Sequence, residues 1–487
     1  MAFQPQVQYK NDDLVRRKLN PEPKALRWTL KQECTEQVKL QMLHWARREP
    51  ISAQLEDKPP YNLRNCPASL LQDVFMSILG DESNSQPLKK VAEQLLGNGL
   101  EEFDFKCIDD IPFDQLGRIF AMVKLNGNNF KCIRLVGRWT YSSSAPNMVR
   151  DILQNCPNLE RCVLQEANYE DILCAARHCP RLIKLDVLLP SLSQKDVVAL
   201  QAIARKKKFR VGRSLRSLTL PASVDGSSLL SMLELFPEVV DLTCVDLEGL
   251  MVAASEAGPS AVARCAKMFS LRVTHVMGWK SVETLVNMFP NLERLSLKTQ
   301  EIMNIQHLVN LERLTALRLE NSQVIPSSYT EDVLPLLREI GHHLVHLGLI
   351  HFNVIELSKT HSYCPNLHSL DLQQFTLLGC TSDRFRRLHH GTQRAYDQLR
   401  SLRMRPRQGK CVPQEACLLL LKHCHRLTYL ELHEAYGMTD ALASVLAQYN
   451  GFSELLRIRL RGGHQLSRLG IETLLYHATQ LRHCHIR

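Results

Sequence analysis

Asn158-Leu159-Glu160-Arg161-Cys162-Val163-Leu164 recurs almost verbatim as Asn291-Leu292-Glu293-Arg294-Leu295-Ser296-Leu297, and Asn366-Leu367-His368-Ser369-Leu370-Asp371-Leu372 is a third copy. The shared pattern is L-x-x-L-x-L. Its L-x-L half reads as a strand, because alternate residues of a strand point to opposite faces and both leucines then enter one core. Working outward, the first apolar position of a copy falls at Leu100, Phe130, Leu159, Leu182, Leu215, Val239, Met268, Leu292, Leu314, Leu344, Leu367, Leu399, Leu427, Leu455 and Leu481. The mean step between these fifteen copies is about 27 residues, within the ~20–29 expected of repeats that stack one strand on the next.

Between the strands lie apolar segments with helical spacing, such as Met148–Leu153 and Cys417–Leu421. Many close on Cys156-Pro157, Cys179-Pro180, Phe236-Pro237, Phe289-Pro290 or Cys364-Pro365. Proline stops a helix, so the Cys or Phe before it is expected to be the last inward-facing helical residue. Strand plus helix, repeated, predicts an α/β leucine-rich-repeat solenoid, a horseshoe with parallel strands on its concave face and helices outside. The step varies from 22 to 33 residues, which makes the array irregular. Its longest insertions read as Ala204–Arg213, Leu250–Ala263 and Gly379–Tyr396.

The N-terminal hundred residues follow another pattern. Residues 1–24 are polar, with Pro21 and Pro23, and read as a flexible tail. In residues 25–95, Leu30, Cys34 and Val38 fall at i, i+4 and i+8, one stripe of a helix that Thr29 can cap. Farther on, Pro67 suits a helix start, and Leu70, Leu71, Val74, Phe75, Ile78 and Leu79 make a wide apolar face. Residues 96–487 carry the repeats.

The two helices resemble the VHL/SOCS-type box, and their placement ahead of leucine-rich repeats is similar to the Zyg/Zer family of elongin-binding receptors. Thr29, Leu30, Cys34 and Val38 fill the elongin-binding pattern, while Cys66, Pro67, Leu70 and Val74 fill the cullin-box pattern that follows it. The resemblance implies an adaptor site for elongin B/C and a cullin at Leu30, Cys34, Val38, Pro67, Leu70 and Val74. It also implies a substrate-recognition subunit of a cullin-RING ubiquitin ligase. Pro67–Leu79 also looks like the opening of an F-box, which would bind a Skp-type adaptor instead; the Trp expected later in that motif is missing, since none lies between Trp45 and Trp139. The remaining reading is a helical cap over the end of the repeat core, in a non-catalytic interaction scaffold.

Composition narrows the function classes. The chain has 487 residues, 45% hydrophobic and 23% charged, an ordinary globular balance that excludes collagen, coiled coil and wholesale disorder. No run reaches the ~18 apolar residues of a membrane helix, and the start lacks the charged and apolar regions of a signal peptide. An intracellular protein, cytoplasmic or nuclear, with reduced cysteines is therefore expected. The 16 Cys include no CxxC pair. His342 and His346 are read onto one strand, too far apart for a shared metal. No P-loop, G-x-G-x-x-G, H-E-x-x-H or G-x-S-x-G occurs, so we expect a binder without cofactor or metal rather than an enzyme.

Charge adds a candidate surface. Residues 381–487 hold 17 Lys+Arg against 8 Asp+Glu, so nearly all of the net +10 lies there, with nine of the 19 His. The x of L-x-L faces the concave surface. In the last copies it is Arg403, Glu431, Arg459 and His485, with Arg405 and Arg461 one strand step on. Arg403, Arg405, Arg459 and Arg461 are thus candidate contacts for an acidic protein substrate; sparse aromatics argue against nucleic acid. The run Arg205-Lys206-Lys207-Lys208-Phe209-Arg210 reads as a solvated loop tip or a nuclear signal.

Overall fold

A computed structural model describes residues 37–42, 70–71, 74, 95, 100–105, 113–137, 140, 145–190, 196, 199, 202, 213–220, 224–277, 281–299, 305–321, 328–379, 395–462, 465–476 and 478–486. The chain forms two compact units, one over Pro23–Arg264 and one that holds Cys265–Arg487.

In the first unit β1 (Glu102–Asp104), β2 (Cys132–Leu135), β3 (Arg161–Ala167), β4 (Lys184–Pro190), β5 (Ser217–Leu220) and β6 (Asp241–Cys244) pair in sequence order, all parallel. The second unit holds β7 (Ser270–Met277), β8 (Arg294–Thr299), β9 (Ala316–Asn321), β10 (His346–Ile350), β11 (Val354–Glu356), β12 (Ser369–Phe375), β13 (Leu377–Gly379), β14 (Ser401–Pro406), β15 (Tyr429–His433), β16 (Arg457–Arg461) and β17 (His483–Ile486). Nine of these form one sheet in the order β7-β8-β9-β10-β12-β14-β15-β16-β17, and β11 pairs with β13 apart from it. Both units are leucine-rich-repeat solenoids.

Register puts the inward residues of successive repeats side by side. Ile133, Cys162, Leu185, Leu218 and Leu242 form one such column, and Leu402, Leu430, Ile458 and Cys484 another. All but Cys484 are at most 1% exposed. Within each unit, a strand is tied to the previous repeat by a shared carbonyl, as where Glu160 O accepts the N–H groups of Ile183 and Lys184 at 2.8 and 3.0 Å. The Asn that opens each near-verbatim copy adds a second tie. Asn158, Asn291 and Asn366 donate from Nδ2 to the carbonyls of Asn128, Ala266 and His342, each at 2.8 Å. Backbone carbonyls at the turns into the strands are satisfied in this way.

The helices end where the Cys-Pro and Phe-Pro signatures place them. Cys179, Phe236 and Cys364 are C-cap residues, each almost fully buried. The buried thiols of Cys179 and Cys424 donate to the carbonyls of Leu153 and Tyr396, at 3.5 and 3.0 Å. Burial pushes the Cys156 and Cys364 thiols up to about 12, so they behave as small core groups rather than nucleophiles.

Two expectations are corrected. Leu250–Ala263 is no insertion loop: helix Leu247–Ala257 ends at Gly258 and helix Pro259–Cys265 begins directly after it. Gly258 has φ +95°, a conformation that only glycine adopts without strain, and Pro259 cannot continue the first helix. His342 and His346 do not share a strand. His342 lies in the 3-10 turn Gly341–His343 with its ring 3.8 Å from that of His343, and His346 opens β10. Nearly all of Ala204–Arg213, including the basic run, and most of Gly379–Tyr396 lie outside the described residues. No described helix is long and apolar enough to cross a membrane.

Candidate functional site

Alternation along each strand sends one set of side chains to the open face of the sheet, away from the helices. In β14, Leu402, Met404 and Pro406 are buried, which leaves Ser401, Arg403 and Arg405 outward; in β16, Ile458 and Leu460 are buried and Arg457, Arg459 and Arg461 point outward. Pairing then builds a row across the face: Arg318, Gly348, Asp371, Arg403, Glu431, Arg459 and His485 stand in register. Strand spacing of ~4.8 Å brings neighbours in this row within reach of one another.

Glu431 is the centre. Its side chain is 0% exposed although it lies on the open face, because larger neighbours close over it. Oε2 accepts from Arg403 Nε at 3.1 Å and from the Tyr429 hydroxyl. Oε1 accepts from Arg405 Nη2 at 2.6 Å, pairs with His433 Nε2 at 2.9 Å, and has Arg459 Nη1 at 3.6 Å. Burial opposes ionisation, but the hydrogen bonds from Tyr429, His433 and Arg405 outweigh it and hold the carboxyl well below the usual glutamate range. Arg403 is further fixed over the Tyr429 ring, 5.7 Å from its centroid.

A second pair flanks the first. Arg318 Nη1 donates to Asp371 Oδ2 at 2.6 Å, and Gln373 Nε2 donates to the same carboxylate. Arg318 and Asp371 sit on β9 and β12 with β10 between them, and Gly348 of β10 leaves the gap that the arginine crosses. A Cβ there would lie 3.0 Å from Arg318 Cγ.

Arg403, Arg405 and Arg459 are thus brought together, as their spacing suggested, but around a carboxylate of this chain. Arg461 stands one step along, beside His433, exposed and with no ion-pair partner among the described residues. What sequence reasoning missed is the role of Glu431, and the part of Arg318 and Gly348. The available signal was Glu431 occupying the x of L-x-L between arginines at the same position of both neighbouring repeats.

Of the adaptor candidates, Leu30, Cys34 and Pro67 lie outside the described residues. Val38 is half-buried in the helical stretch 37–42, and Leu70 is half-buried in a helical position. Val74 is 0% exposed, so its side chain serves this chain's own core rather than an outer surface. No group of three or more His, Cys, Asp or Glu among the described residues is arranged to hold a metal.

No family model matches the chain, and no curated protein matches it. Among solved structures, it is similar to an internalin of Listeria monocytogenes at 13% identity, over 63% of this chain and 82% of that one, with TM-score 0.36. A chain of the yeast Rad7 and Elc1 complex matches at 15% identity over 90% of both, with TM-score 0.44. A leucine-rich-repeat protein of Leptospira interrogans matches at 14% identity over 81% and 91%, with TM-score 0.31. At these identities and TM-scores the likeness says nothing of function.

Proposed function

We propose that this protein is a substrate-recognition subunit of a cullin-RING ubiquitin ligase, which docks its adaptor through the N-terminal helices and its target through the open face of β14–β16. The observation that carries the target half is the outward set Arg403, Arg405, Arg457, Arg459 and Arg461, of which Arg403, Arg405 and Arg459 surround one buried carboxylate. Five arginines against Glu431 leave that face strongly cationic, and the three side chains held by Glu431 lose little entropy on binding. An acidic protein segment is the complementary partner. The adaptor half rests on the ordered patterns at Thr29–Val38 and Cys66–Val74. In it Leu30 and Cys34 contact elongin C, Pro67 and Leu70 contact the cullin, and Val74 anchors its helix from inside. The protein contributes binding, and ubiquitin transfer belongs to recruited subunits.

A second reading has its own observation: Met42, Leu71, Val74 and Leu95 are all 0% exposed, as an N-terminal cap on the first unit would require. Affinity purification of the intact chain with mass spectrometry separates the readings by recovering elongin B/C, a Skp-type adaptor or neither. Leu30→Ser with Cys34→Phe is expected to abolish elongin recovery while the repeats stay folded, since losing a buried anchor costs about 2 kcal/mol or more. Unfolding of the first unit by this pair would favour the cap.

Charge reversal on the other face is expected to act independently. Arg403→Glu with Arg459→Glu should lower target capture by about tenfold or more and leave elongin recovery unchanged, and capture by the unaltered protein should weaken with salt. Persistence of capture after reversal, with the fold verified by circular dichroism, rules out this face.

A further inference from the structure

We propose that the cluster around Glu431 is a phosphate-recognition site, and that the segment it takes is a phosphorylated serine or threonine peptide rather than one that is merely acidic. This rests on the reading of the open face as the target-binding surface and narrows its ligand.

Three features separate a phosphate site from a general cationic face. Charge is concentrated at a point: Arg403, Arg405 and Arg459 all place a guanidinium nitrogen between 2.6 and 3.6 Å from the Glu431 carboxylate. Asp371 also lies 3.9 Å from Arg403 Nη1, but it brings Arg318 with it at 2.6 Å, so four guanidinium groups face two carboxylates and two positive charges remain in excess. A phosphomonoester carries about −1.5 to −2 at neutral pH on a single group, whereas two carboxylates brought to the same point would repel each other.

The donors are the right kind. β14–β16 present five outward arginines and no lysine, and the planar guanidinium meets phosphate oxygens in pairs. Arg405 and Arg459 are also only partly used, while Arg403 already meets Tyr429 through Nη2 and Asp371 through Nη1. Each of the three side chains is about a third exposed, and each is anchored to the buried carboxylate through one nitrogen. Arg405 Nη1 and Arg459 Nη2 hold no partner among the described residues, and buried Arg405 Nε is likewise without an acceptor. Glu431 therefore acts as a positioning residue: it gathers guanidinium groups that would otherwise repel, and leaves free donors for an arriving phosphate. Arg461, one strand step away, is placed to meet an acidic residue beside the phosphorylated one.

The test measures binding of the full chain to degenerate peptide libraries with phosphoserine, glutamate or serine fixed at the centre. The expected order is phosphoserine tighter than glutamate by about tenfold or more, with no capture by the serine library. Inorganic phosphate should compete and acetate should not. Arg403→Lys, which keeps the charge but loses paired donation, should remove the preference for phosphoserine while retaining glutamate binding. Arg216→Lys in the first unit, the same exchange elsewhere, should change neither. Equal capture of the phosphoserine and glutamate libraries overturns the phosphate site and leaves the acidic-segment reading standing. Capture of neither library overturns both. Binding of a single-stranded oligonucleotide as tightly as the phosphopeptide, with loss in Arg403→Lys, overturns the proposal in favour of nucleic acid.

Discussion

Glu431→Ala is expected to destabilise the second unit by about 3 kcal/mol, the lower end of the range for removing one partner of a buried ion pair. The carboxylate itself is fully buried, while its arginine partners are about a third exposed, so water repays part of the loss. What remains is three guanidinium groups gathered with no anion between them. The sign of the coupling gives a sharper check. Arg405→Met should be destabilising in the unaltered protein, yet restore about 1 kcal/mol in the Glu431→Ala background, because it relieves a repulsion. Hydrogen exchange of β14, β15 and β16 amides reads both effects locally. A change under about 0.5 kcal/mol would show that the network contributes no more than an ordinary surface cluster. The pH dependence has a definite direction. Because the folded carboxyl titrates below its unfolded value near ~4.3, its contribution is fully present above that value and is lost as pH falls toward the lower folded pKa. Between pH 7 and 5 the contribution should therefore be flat.

Gly226→Val is expected to cost the first unit about 3 kcal/mol or more, through backbone overlap rather than lost contacts. A Cβ at Gly226 would lie well under 3.0 Å from the carbonyl carbon and oxygen of Gly249. Helix Gly226–Leu235 and helix Leu247–Ala257 meet there with nothing between their backbones. Asp246 fastens the junction: Oδ1 accepts from Gly249 N–H at 2.8 Å and Oδ2 from Gly226 N–H at 3.0 Å. A bulky residue must part the helices and break the second of these bonds. Gly117→Ala is the matched control. Nothing lies within 4 Å of its added Cβ in helix Phe113–Leu125, so it should gain about 0.5–1 kcal/mol. Chemical denaturation of the two variants should move in opposite directions. Equal midpoints would mean that the helices do not approach this closely.

Every apolar start read from the sequence lies two residues before a strand: Leu159 before Arg161, Leu399 before Ser401, Leu481 before His483. This was legible because a period-two pattern with buried leucines is a local signal. Leu250–Ala263 was not, since Ala253-Ala254-Ser255-Glu256-Ala257 lacks an apolar stripe; the Gly258-Pro259 pair was the better guide. The candidate site was half legible. Strand register predicts which arginines share a row, but the burial of Glu431 depends on side chains supplied by three repeats about 28 residues apart in sequence. The crossing of Arg318 over Gly348 depends on an absent side chain, which a search for functional groups passes over.

The strict separation of leucine columns from the outward row also shapes how such a protein can change over generations. An x residue of L-x-L can be exchanged without touching a core leucine, because the two point to opposite sides of the sheet. Recognition can therefore diversify one repeat at a time while the framework is inherited unchanged. Glu431 is where that freedom ends. It ties residues of β14, β15 and β16 together, so a new residue at any one of them leaves the others mismatched. Descendants that keep one member of this group should keep the rest, while Arg457 and Arg461 drift.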